Sequence, residues 1–146
     1  MVVGGVMRTK LVTATPDETA GAAIQRMLEA GVGSIVVCEG PVPVGIFTER
    51  DVLRLSGGET AFHDRPLREV MTPRPLTVSP QDSILEAAKL MGERQIRHLP
   101  VVEGEYLLGI VSIRDVFGFL VERLWQEHDE AAREAAHALL SRPLAH

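Results

Sequence analysis

Aromatic side chains are scarce in this chain of 146 residues: one Trp, one Tyr and four Phe make up 4%. Its core must be assembled from Val, Ile, Leu, Met and Ala, within a hydrophobic share of 45%. With a single cysteine, Cys38, no intrachain disulfide can form, and a reducing cytoplasm fits best. No apolar run approaches the ~18 residues that a membrane-spanning helix needs. The opening MVVGGVMRTKLV lacks a basic start followed by a long apolar stretch, which argues against a secretory signal. Positive charge is not in excess: 15 Lys and Arg against 20 Asp and Glu leave −5, whereas general nucleic-acid binding needs a basic surface. The histidines (His63, His98, His128, His137 and His146) show no metal-ligand spacing, and no P-loop, G-x-S-x-G or G-x-G-x-x-G is present. These absences argue against an enzyme and against a required cofactor or metal. Cys38, inside the apolar run SIVVCEG, reads as a small buried hydrophobe.

What the chain does contain is itself, twice. Residues 6–55 align with residues 70–119 without a gap, at a constant offset of 64. Of these 50 positions 15 are identical, against roughly three expected from ordinary composition. The shared phrases include Val6-Met7 with Val70-Met71, Glu39-Gly40 with Glu103-Gly104, and GIFTERDV (45–52) with GIVSIRDV (109–116). Each copy reads as strand, helix, strand, strand, helix. LVTATP and PLTVSP are extended, and Pro16 and Pro80 suit the approach to a helix. DETAGAAIQRMLEAG and QDSILEAAKLMGER carry apolar residues at helical spacing. SIVVCEG and HLPVVEG are β-branched runs ending in a turn signal, followed by VPVGIFT and YLLGIVS.

This organisation predicts a first repeat over 1–58, a polar linker over 59–68, a second repeat over 69–122 and a helical tail over 123–146. A half of about fifty residues lies near the lower limit for independent stability. The expected fold is α+β: two β-α-β-β-α repeats packed sheet to sheet about an approximate twofold axis, leaving two equivalent clefts.

The doubled pattern of T-x-x-P, V-x-x-G and G-h-h-[ST]-x-x-D resembles the CBS domain, named for cystathionine β-synthase, and its tandem form, the Bateman module. The resemblance covers roughly Val3 to Leu120. It implies a regulatory, non-catalytic module that binds an adenosyl ligand (AMP, ADP, ATP or S-adenosylmethionine), modulates a protein effector and pairs into flat homodimers. It places Thr13 and Thr77 on the edge against which adenine lies. It also makes Arg97-His98 a basic pair that reaches ligand phosphates, and it counts Pro100, two residues on, among the ligand-binding residues.

The residues themselves support part of this. Thr48 and Ser112 open helices, where free N–H groups and the helix dipole favour anions. Asp51 and Asp115 would repel a phosphate but can accept hydrogen bonds from a ribose diol. Arg50 and Arg114 supply complementary charge for phosphate. Gly45 and Gly109 permit close backbone approach or unusual strand geometry. T-x-x-D and S-x-x-D are equally helix-cap signatures, and a capping residue can also touch a ligand. The first copy has Gly33-Ser34 where the second has Arg97-His98, so the clefts are expected to be unequal, one with higher phosphate affinity. In the tail, the stripes Val116, Leu120, Leu124 and Ala131, Ala135, Leu139 fit either a dimer-bracing arm or a helix folded back on its own domain. The competing function is a structural or dimerisation module with empty clefts.

Overall fold

The computed structural model describes residues 1–58 and 61–126. The first repeat supplies β1 (Thr13–Ala14), α1 (Ala20–Ala30), β2 (Ser34–Glu39), β3 (Val42–Thr48) and α2 (Glu49–Gly58). After a 3-10 turn over Phe62–Asp64 come α3 (Leu67–Val70) and β4 (Thr72–Pro73). The second repeat supplies α4 (Ile84–Arg94), β5 (His98–Glu103), β6 (Tyr106–Ser112) and α5 (Ile113–Gln126). One sheet runs β1-β2-β3-β4 and the other pairs β5 with β6. The fold is thus α+β with two related halves, as the repeat predicts, and β3 meets β6 between them.

Local chemistry sets the helix limits. The Thr19 hydroxyl accepts from the Ala22 N–H at the start of α1, and the Ser83 hydroxyl accepts from Leu85 and Glu86 at the start of α4. Gly31 ends α1 in the left-handed region at φ 66°, with the Val32 N–H donating back to the Met27 carbonyl. Gln95 does the same for α4 at φ 54°, a conformation that a side chain disfavours. The hairpins β2-β3 and β5-β6 carry irregularities at Val37/Cys38 and Val101/Val102, again 64 residues apart.

The halves exchange their leading segments. Val3 N–H donates to the Asp82 carbonyl, Gly4 N–H to Pro80 and Ile84 N–H to Met1, so the N-terminal arm lies on the second repeat. At the same offset, Leu67 N–H donates to Glu18, Arg68 N–H to Pro16 and Ala20 N–H to Arg65, so the intervening segment lies on the first repeat. The expected linker is therefore partly core. Phe62 and Leu67 are buried with Met27, Ile35, Val37 and Phe47, because the second repeat's lead-in closes the first repeat's apolar face. Val3 is likewise fully buried with Ile84, Met91, Leu99 and Val111.

The repeated glycines serve this exchange. A Cβ at Gly45 would lie 2.3 Å from the Met71 sulfur, and one at Gly109 would lie 2.7 Å from the Arg8 carbonyl. The close approach at each glycine is made by the crossing segment of this chain, which pairs Thr72 with Ile46 and Arg8 with Ile110. Along α5, Val116 is buried, and Leu120 packs on the second core. Ala131, Ala135 and Leu139 lie outside the described residues. Among the described residues no helix is long and apolar enough to cross a membrane.

Candidate functional site

Topology gathers the candidate residues at one end of each sheet. Ser34 pairs with Thr48 across β2 and β3, and parallel β1 places Thr13 beside Val36. Thr13, Ser34, Thr48 and Asp51 thus share one end of the first half. In the second, His98 pairs with Ser112, and Val78 bridges Val101, which brings Thr77, Arg97-His98 and Ser112–Asp115 to the corresponding end. Thr13 and Thr77 are exposed, Arg97 and His98 are half-buried, and Pro100 is fully buried.

Both aspartates cap their helices. Asp51 Oδ2 accepts from the Thr48 N–H at 2.9 Å and from its hydroxyl at 3.2 Å, and Asp51 N–H donates to Thr48 Oγ1 at 3.4 Å. Asp115 Oδ2 accepts from Ser112 N–H at 2.9 Å and from its hydroxyl at 2.8 Å, with the return bond at 3.3 Å. The remaining oxygen faces an arginine in each half. Arg54 Nη2 lies 3.3 Å from Asp51 Oδ1, and Arg8 Nε lies 3.1 Å from Asp115 Oδ1. These arginines are not repeat equivalents, since Arg54 aligns with Gly118 and Arg8 with Thr72. The sequence signal for them is departure from the repeat, within two residues of a matched phrase.

The strand edges differ more. In the first half the Val36 N–H donates to the Val12 carbonyl at 3.3 Å. Position 100 is proline, which has no N–H, so the Leu76 carbonyl has no such donor. The remaining bridge is Val78 N–H to the Pro100 carbonyl at 3.0 Å and Val102 N–H to the Val78 carbonyl at 2.8 Å. In the first half, moreover, Arg26 donates to the Thr13 carbonyl while also gripping Glu18, with Nη2 2.6 Å from Oε1. The Arg26 hydrogen bond, seconded by the Thr15 N–H, holds the Glu18 carboxyl below its usual range, and Glu18 raises Arg26. The second half has Leu90 at the position of Arg26. A depression of about 450 Å³ opens beside this clamped edge, lined by Leu11, Val12, Thr13, Arg26, Glu29 and Ala30. Of the candidate residues only Thr13 touches it.

The halves also meet at the second site. Arg50 Nη1 donates across to the Gln95 carbonyl at 3.2 Å, which engages a guanidinium expected to face phosphate. Arg114 is exposed. Burial pushes the His98 imidazole below its ordinary value, and Arg97 adds to this, while Glu49 from the first half and Asp115 act in the opposite direction. Gly33, the counterpart of Arg97, leaves room that Glu49 fills, for a Cβ there would lie 2.1 Å from Glu49 Oε1. Cys38 is buried, and desolvation raises its thiol.

Comparison with known proteins agrees with this architecture. The CBS domain profile matches residues 3–58 and again 67–122. An uncharacterized 33.4 kDa protein in the ribosomal RNA operon of Thermofilum pendens is 40% identical over 66% of the chain, which spans 32% of that relative's length. The CBS domain-containing protein YhcV of Bacillus subtilis is 33% identical over 78% of the chain and 81% of its own. A solved CBS domain protein from Pyrobaculum aerophilum, complexed with AMP, superposes with a TM-score of 0.73 at 26% identity, over 79% of this chain and 89% of that one. Two matched halves, each closed by the other's lead-in, make this chain a tandem member of the CBS-domain family.

Proposed function

We propose that the chain is a regulatory module that binds an adenine nucleotide at the second repeat's sheet end, between the halves. The observation that carries this reading is the open edge created by Pro100. Its unclaimed Leu76 carbonyl and exposed Thr77 stand at the same end as Arg97, His98 and Asp115. The carbonyl can accept from an adenine amino group, the basic pair can meet phosphate, and the Asp115 carboxylate can take ribose hydroxyls. The AMP complex of the Pyrobaculum relative supports the ligand class. Because Glu49 and Arg50 of the first half border the same place, a ligand there favours one arrangement of the halves over another, as a population shift requires. The exposed helical leucines Leu28, Leu53 and Leu85 suit burial in a homodimer, whose clefts would then signal to a protein effector.

A second reading has its own support: both aspartates are already engaged as caps, as a purely structural module would need. Thermal melting with AMP, ADP, ATP and S-adenosylmethionine decides between them. A ligand at 100 times its dissociation constant adds about 2.7 kcal/mol. A shift with at least one nucleotide, lost in Arg97→Ala, supports sensing; no shift with any of them supports the structural module.

A further inference from the structure

We infer that Arg8 is a specificity residue, which makes the Asp115 site discriminate against unphosphorylated nucleosides. The inference rests on the nucleotide reading above and concerns a residue outside the repeated site motif. A carboxylate offers about four acceptor positions. Asp115 already uses two at Oδ2 for Ser112 and one at Oδ1 for Arg8. One acceptor position is left, whereas a ribose diol brings two donors. Bidentate recognition of the sugar therefore needs one of these donors to leave, and the exposed Arg8 guanidinium is the one outside the helix cap.

The structure makes that departure a side-chain event. The Arg8 backbone is fixed to β6 by reciprocal hydrogen bonds with Ile110, at 2.8 and 3.0 Å. Its side chain is 61% exposed, whereas Asp115 is nearly buried at 12%. The guanidinium can swing while the arm stays in place. Once displaced from Asp115 it is an unpaired cation at the site, and a phosphate gives it a new partner. A neutral nucleoside displaces it without offering one. The first half differs: Arg54 is tied to Asp51 and also faces the Val70 carbonyl at 3.4 Å, so it is braced from two sides.

Calorimetric titration of the full chain and of Arg8→Gln with adenosine and with AMP tests this. Removing an exposed ion pair should tighten adenosine by about two- to fivefold, and the AMP-to-adenosine affinity ratio should fall. Adenosine affinity that is unchanged or weaker in Arg8→Gln overturns the inference and leaves the nucleotide reading intact. Failure of both ligands to bind either protein removes the nucleotide reading and this inference together.

Discussion

The end of the first sheet differs from that of the second in what already occupies its hydrogen-bonding groups. Around Thr13 the chain answers its own carbonyls, with the Val36 N–H on Val12 and Arg26 on Thr13. Around Thr77 a proline withholds one donor and Leu90 replaces the arginine. Two sites on one skeleton thus diverge through a few substitutions outside the motif that defines them. The shared T/S-x-x-D caps are alike within a few tenths of an ångström; their neighbours are not.

Four experiments test that contrast. The largest effect is expected at the crossing glycines. Gly109→Ala forces a methyl against the Arg8 carbonyl, which is pinned to Ile110, and should cost about 1–3 kcal/mol in chemical denaturation. Gly45→Ala meets the movable Met71 thioether first and should cost less; equal costs would mean that the two crossings are equivalent. Next, Pro100→Val copies Val36 and restores an N–H for the Leu76 carbonyl. The variant should gain about 0.5–1.5 kcal/mol in stability and bind AMP about tenfold more weakly by calorimetry. Unchanged AMP affinity would reject the open edge as the ligand's seat.

The third effect is smaller and depends on pH. Because the folded state lowers His98 below its ordinary value of 6.5, the folded state binds that proton less readily than the unfolded chain. Its contribution is present above pH 6.5 and is lost as pH falls through the folded value. Melting temperatures measured from pH 7.5 to 5 should therefore drop further for the natural protein than for His98→Gln, and AMP should narrow the gap by pairing with the imidazolium. Parallel curves would show that His98 does not report on the site. The smallest effect belongs to Gln95→Gly, which relieves a left-handed residue and should raise stability by no more than about 1 kcal/mol. In Gly31→Gln, the reverse change at the matching cap should lower it.

Much of this fold was legible because repetition is a strong signal. An offset of 64 marks both halves, both caps and both glycines. Periodicity finds α1 and α4, and Glu-Gly marks the hairpin turns. The exchange of lead-in segments was not legible. Phe62 and Leu67 sit among polar residues in AFHDRPLRE, and only the partner half reveals that they close a core. The engagement of Asp51 and Asp115 by arginines was hidden for a related reason. Arg54 lies three residues from Asp51 on its own helix, but Arg8 reaches Asp115 across 107 positions of sequence. The proline effect was visible in principle, since an internal proline in a β-branched run always removes one donor. What the sequence did not supply was the carbonyl left waiting for it.

The reciprocal handover of leading segments has a consequence for how such a molecule can change over time. Two separate copies of a single repeat could complete each other by the same handover, but any substitution would then strike both pockets at once. Joining the copies in one polypeptide keeps the mutual closure while allowing each position to vary alone. Leu90 opposite Arg26, and Pro100 opposite Val36, are differences that a symmetric pair of identical chains could never hold.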